Sequence, residues 1–323
     1  MRLWLLLQAI AILACSTAAP PAVPPDGGPV VSASGAPLIA GCPLFPPDND
    51  WNRDVSADPV DAHSADYLQR MNAASRFLQA DFGSDPTYGV PYVLIPAGQP
   101  RVPMSFLYAS QSEPGPYPLP LDMPVQSGAD RHAIAIDPNA CLLYETYDTQ
   151  RDGAGFHCGS GAVFDLSSNK LRPEGWTSAT ASGLPLFPGL ARTEEVQSGA
   201  IHHALGFTAS LVSAGYIHPA THRSGNSTDP YAPPFGIRVR LKSSFDVSRF
   251  TGAARVVLVA LQKHGMLLTD IGTDWYVSGA TDTRWNDADL DQLKTVPASS
   301  FEVLQLGTVL QLGTVLQLGT VLH

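Results

Sequence analysis

RHAIAIDPNACLLYETYD, residues 131–148, decides the fold class. Two runs rich in Ile, Leu, Tyr and Thr alternate in polarity on either side of Asp137-Pro138-Asn139, so they read as antiparallel strands meeting at a tight turn. With Pro138-Asn139 as a two-residue loop, Ile136 lies opposite Cys141, Ile134 opposite Leu143, and His132 opposite Glu145. Alternation then puts all six on one face, apolar near the turn and ending in an imidazole beside a carboxylate. An apolar wall raises a Glu pKa and a neighbouring His lowers it, the opposed influences that tune a general acid or base. A one-residue slip would send His132 and Glu145 to opposite faces. Pro138-Asn139 is not a usual primed-turn pair, so a longer loop is the alternative.

Further strand signals lie at 89–96, 102–108, 161–166, 214–218 and 236–242, separated by Pro, Gly, Asn and Asp. Helical periodicity covers 64–80, 251–264 with Val256, Leu258, Val259 and Leu261 before the stop at Gly265, and 286–294. Many short strands with long, Pro-rich connections predict a mainly β protein, a β-sandwich or jelly-roll-like single domain with a few peripheral α-helices. No linker-like shift interrupts 41–302. The 323 residues include 28 Gly and 29 Pro, and only 15% are charged against the roughly 25% usual for soluble domains. A net charge of −10 excludes a generic polyanion binder, so no nucleic-acid partner is expected.

The ends read as targeting and appendage. Arg2 followed by the apolar run 3–13 is a secretory signal, too short to span a bilayer. Ile12-Leu13-Ala14-Cys15 resembles a bacterial lipobox, giving a signal peptide over 1–15 of lipoprotein type; ordinary cleavage within 16–19 is the alternative. Either way the chain is exported, secreted or anchored at the cell surface or outer membrane, and it meets a membrane only through lipid on Cys15. Residues 16–40 are a Pro/Ala/Gly-rich linker. Cys42, Cys141 and Cys158 then predict one disulfide and one thiol; spacing does not choose the pair, and a bond from Cys42 to Cys141 or to Cys158 would pin the start of the domain to its middle. Residues 303–323 hold three copies of VLQLGT, read as an unstructured or artefactual tail on a finished domain.

Candidate chemistry centres on His132 and Glu145, with Asp165 or Glu113 as a second carboxylate. On a uronate, His132 with Tyr144 or Tyr147 and Arg131 would suit β-elimination, the arginine neutralising the acid. His203, like His218 or His222, could complete a two-His-one-carboxylate metal set with His132 and Glu145, although no HxH or HExxH spacing supports one. No metal ligand is assigned and no cofactor is expected. Trp51, Asn52, Tyr117, Trp176, Asp274 and Trp275 combine flat rings with hydrogen-bonding groups, the mixture that sugar faces and hydroxyls take, so they are the candidate substrate-binding residues. A G-x-S-x-G elbow and a phosphate loop are absent from the sequence.

The motifs CPLFPPDNDWN (42–52), EPGPYPLP (113–120), DRHAIAID with CLLYE (130–145), SGAVFDL (160–166), GWTSA with SGLPLFPGL (175–190) and GAIHHALGFT (199–208) occur in order, with GIRVRLKSSFD (236–246) and KHGMLLTD (263–270) following. In this the chain resembles a family of exported bacterial proteins. The resemblance implies one family domain from about Cys42 to Glu302 and implies no activity; the VLQLGT tail departs from it.

These features together predict an exported enzyme that cleaves extracellular polysaccharide, a glycoside hydrolase or a uronate lyase working through a Glu/His pair. The alternatives are a non-catalytic carbohydrate-binding lipoprotein and a metal-assisted hydrolase on His132, Glu145 and His203.

Overall fold

A computed structural model describes residues 31–33 and 35–311. The expected signal peptide with Cys15, most of the expected linker and the repeats from residue 312 lie outside the described residues. The 131–148 hairpin sits at the centre of a four-stranded sheet in the order Ser160–Asp165, Leu142–Tyr147, Ala133–Asp137, Tyr92–Leu94. The first two pairings are antiparallel and the last is parallel.

The register differs by two residues from that of a two-residue turn: Ile134 faces Glu145 and Ile136 faces Leu143. The loop is four residues long because Asp137 Oδ1 accepts the N–H groups of Asn139 and Ala140, and Cys141 takes a left-handed φ of 51°. An even shift preserves the faces. Ile134, Ile136, Leu143, Ala162 and Phe164 therefore enter the main core together, while Ala133, Ala135 and Tyr144 enter a second, smaller one. His132 moves one rung outward from its expected place beside Glu145, and its ring lies against Tyr147, centroids 5.9 Å apart.

The second core is closed by a three-stranded sheet, Met104–Phe106, Gly155–Cys158 and Gln150–Asp152. It is packed so closely that a Cβ on Gly161 would land on the Phe106 ring and the Tyr117 hydroxyl. Gly161→Ala is accordingly expected to lower stability by about 1–3 kcal/mol, read from the urea midpoint, because the second core must spread to admit one methyl.

On the other side, the main core is shared with a six-stranded sheet ordered Phe301–Val303, Arg238–Leu241, Met266–Ile271, Leu205–Ala209, Tyr276–Val277, Gln79–Ala80. Its central pair, Leu205–Ala209 with Met266–Ile271, is parallel and so needs a crossover. The helix Gly252–Lys263 lies in that crossover, burying Ala254, Val257, Leu258 and Leu261 against the core. The protein is thus mainly β and sandwich-like, with few helices.

Several expectations need correction. The helix expected over 64–80 ends at Arg70, because Asn72 turns left-handed and Gln79–Ala80 joins the sheet edge. No strand forms at 214–218, where Tyr216 makes single bridges to Phe235 and Leu310. Leu38–Ile39 pairs with Cys42–Pro43, so the ordered domain starts inside the supposed linker. The domain also runs past Glu302: Val303 ends a strand, Leu304 is buried and Leu310 pairs with Tyr216. The first VLQLGT copy is therefore built into the fold. Cys42 is bonded to Cys141, and Cys158 is a buried thiol whose pKa burial pushes up to about 11. Among the described residues no helix is long and apolar enough to cross a membrane.

Candidate functional site

Continued toward its open end, the Glu145 face of the four-stranded sheet ends at Tyr147 and Ser160, paired across neighbouring strands. There it approaches the end of Met266–Ile271, and a cleft of about 350 Å³ opens between them. Tyr108, Asp130, Tyr147, Ser160, His222 and Asp270 line it, together with the segment 177–181.

Two carboxylates in this cleft have different surroundings. Asp270 is half-buried, its Oδ1 accepting the Ile271 N–H at 2.8 Å and its Oδ2 the Ala181 N–H at 3.2 Å. Burial pushes its pKa up to about 7; the two hydrogen bonds oppose the rise and the Asp130 charge adds to it. Asp130 itself is exposed. His222 Nδ1 stands 2.7 Å from the Ala181 carbonyl, to which it donates, leaving Nε2 as the acceptor of a neutral ring. Burial lowers the His222 pKa, the Ala181 carbonyl opposes this, and Arg223 adds to the lowering. The single peptide residue Ala181 therefore fixes both Asp270 and His222. Burial, with Asp130 and Asp148 nearby, raises the Tyr147 pKa, so its hydroxyl keeps its proton.

His132 lies behind Tyr147, buried, with its Nδ1 unpartnered and its pKa lowered to about 4 by burial against the raising influence of Asp130. Glu145 is fully buried. Its oxygens accept the Leu186 N–H at 2.8 and 3.0 Å and the Phe187 N–H at 2.7 Å. Burial pushes its pKa up to about 7, while those N–H groups and Arg172 pull it down. Glu145 is thus an anchor for the segment 183–190, out of reach of a substrate; this replaces the expected acid–base contact with His132.

The other expected catalytic residues disperse. Asp165 sits in an exposed turn, accepting the Ser167 N–H and hydroxyl at the far end of its strand. Arg131 is paired with Asp148, and Tyr144 faces the second core. Glu113 accepts the Val163 N–H and pairs with Arg172 at 2.7 Å. Buried Arg172 also donates to the carbonyls of Thr177 and Gln111, two residues of the cleft wall, so it positions that wall. His203 is buried against Glu195, 3.0 Å away, so His132, Glu145 and His203 do not form the metal set considered above. Among the described residues no group of three or more His, Cys, Asp or Glu stands close enough to hold a metal ion.

Most of the expected sugar platform is core. Trp51 and Trp275 are 2% and 0% exposed, and Trp275 Nε1 donates to the Met71 carbonyl. Asn52 caps the carbonyls of Leu44 and Pro46, Asp274 accepts from Asn72 and Ser210, and Tyr117 donates to the Glu113 carbonyl. Large aromatics next to turn residues are claimed by the core first, since each buries a large apolar area there. Only Trp176 keeps partial exposure, stacked on Arg172 at 5.5 Å.

Asp270 and Asp130 did leave a signal in the sequence. Each is a carboxylate at the boundary of an apolar strand, ending MLLTD and opening DRHAIAI, where a chain emerges from a core. The chain matches no protein-family model, no curated protein and no solved structure.

Proposed function

We propose that this protein hydrolyses an extracellular polysaccharide in the Asp130/Asp270 cleft. The observation that carries the reading is a pair of carboxylates in unlike environments within one open cleft lined by hydroxyls and two tyrosines. Asp270 keeps a proton to near neutral pH and is suited to protonate a leaving oxygen, while exposed Asp130 is suited to activate water. Neutral His222 offers Nε2 as an acceptor for a sugar hydroxyl. The secretory signal and the lipidated Cys15 expected from the sequence fit a substrate outside the cell. Uronate β-elimination is not favoured, because Arg131 is committed to Asp148 and no Lys or Arg lines the cleft.

Release of reducing ends from a polysaccharide panel tests this. Asp270→Asn and Asp130→Asn are each expected to lower the rate at least about 100-fold, the contribution of one proton-transfer group, with ligand binding retained in Asp270→Asn. Because Asp270 must be protonated to act, the wild-type rate should fall as pH rises through about 7. Binding without cleavage would support a carbohydrate-binding module instead, a reading favoured by Tyr108, 46% exposed at the rim. Neither binding nor cleavage would remove the glycan reading.

A further inference from the structure

We infer that the cleft selects amino sugars bearing free amines, a glucosamine-type polymer, over N-acetylated, neutral or uronic glycans. This rests on the glycan reading of the cleft and sharpens it. The acidic side chains lining the cleft are Asp130 and Asp270; Asp270 holds its proton to near neutral pH, so the negative charge on the wall is that of Asp130. Asp81, following the edge strand Gln79–Ala80, is close enough to feel the Asp130 charge and adds to the negative field.

The nearby cations do not cancel that field at the lining. Arg131 is held by Asp148, and Arg172 is buried behind the 177–181 segment in its pair with Glu113. Arg223 stands beside His222 and is not part of the wall. His222 gives its Nδ1 proton to Ala181, so its ring presents an acceptor to the cleft. Tyr108 and Tyr147 supply ring faces, which attract ammonium groups as well as stacking on sugar C–H surfaces. Hydroxyls from Ser160 and the 177–181 segment complete a wall suited to sugar oxygens. An ammonium group gains charge-assisted hydrogen bonds here that an acetamide cannot make, and a uronate meets like charge.

The test is calorimetric titration of the full chain with four probes: a glucosamine hexamer, its N-acetylated counterpart, a galacturonate hexamer and spermidine. The glucosamine hexamer is expected to bind at least about tenfold tighter than the acetylated one, as a charge-assisted contact allows. Asp130→Asn should erase most of that preference, and Asp130→Lys should shift it toward galacturonate. Asp130 is exposed, so both variants are expected to fold, checked by circular dichroism. Equal affinity for the free and acetylated hexamers, or tighter binding of galacturonate by the wild type, overturns the amine inference and leaves the glycan reading standing. Binding of spermidine without either hexamer, or binding of none of the four, overturns the amino-sugar assignment, and the glycan reading falls with it if the polysaccharide panel is neither bound nor cleaved.

Discussion

Removing the Cys42–Cys141 bond by a double alanine substitution is expected to lower the unfolding free energy by about 2–5 kcal/mol. The bonded cysteines are 99 residues apart, and the chain-entropy account gives about 4–5 kcal/mol for closing a loop of that size, the upper part of the range. The bond joins the entry of the domain to the four-residue loop of the central hairpin. Downstream of Cys42, Leu44, Phe45 and Trp51 bury their side chains in the main core, so the bond limits how far the unfolded chain can carry them from the sheet they cover. Urea unfolding of the double variant beside wild type, both unreduced, reads the difference directly. The double variant avoids a lone thiol that could pair with Cys158. An unchanged midpoint would mean that the contacts of 36–55 alone set the stability of this end.

What was legible in the sequence, and what was not, follows one physical line. The hairpin was legible because alternation is a local signal, and its faces survived a wrong loop length because an error of two residues leaves parity intact. The same error misplaced His132, since rung position depends on the loop and alternation does not. Met266–Ile271 and Leu205–Ala209 were hidden because strands buried on both faces lose their alternation and read as continuous apolar runs. The cleft forms where the ends of two different sheets meet, a long-range coincidence that spacing along the chain does not encode. Asp130 and Asp270 are 140 positions apart in numbering and are brought to one wall only by the stacking of the sheets. The tryptophans failed as a sugar platform for a related reason: composition records that an aromatic is present, and only packing decides which side of the surface it takes.

Glu195→Ala is expected to destabilise the protein by about 3–5 kcal/mol, because it strands the buried Arg192 guanidinium and takes from His203 its carboxylate partner. Glu195 is paired with Arg192 at 2.5 Å and with His203 at 3.0 Å, and all three residues are at most 2% exposed. Arg192 stacks on the Phe187 ring at 5.1 Å, and the Phe187 N–H is bound by Glu145 of the central hairpin. His203 Nδ1 meets the Ala204 carbonyl just before the strand Leu205–Ala209. A buried run of contacts, polar except across the Phe187 ring, thus links the middle of one sheet to the start of a central strand in the other. Burial alone would raise the Glu195 carboxyl, but Arg192 and His203 outweigh it and hold the folded pKa below the ordinary glutamate value of 4.5. A depressed folded pKa gives stabilisation that is fully present above the unfolded value and is lost as pH falls through the folded one. The gap between wild type and Glu195→Ala should therefore be full at pH 7 and shrink below about pH 4.5, when measured by urea unfolding across pH. Replacing Arg192, Glu195 and His203 together by Met, Leu and Leu should cost much less than the single change, since no charge is then left buried without a partner. A single variant as stable as wild type at pH 7 would show that water reaches the stranded Arg192, and that the two sheets are joined by apolar packing alone.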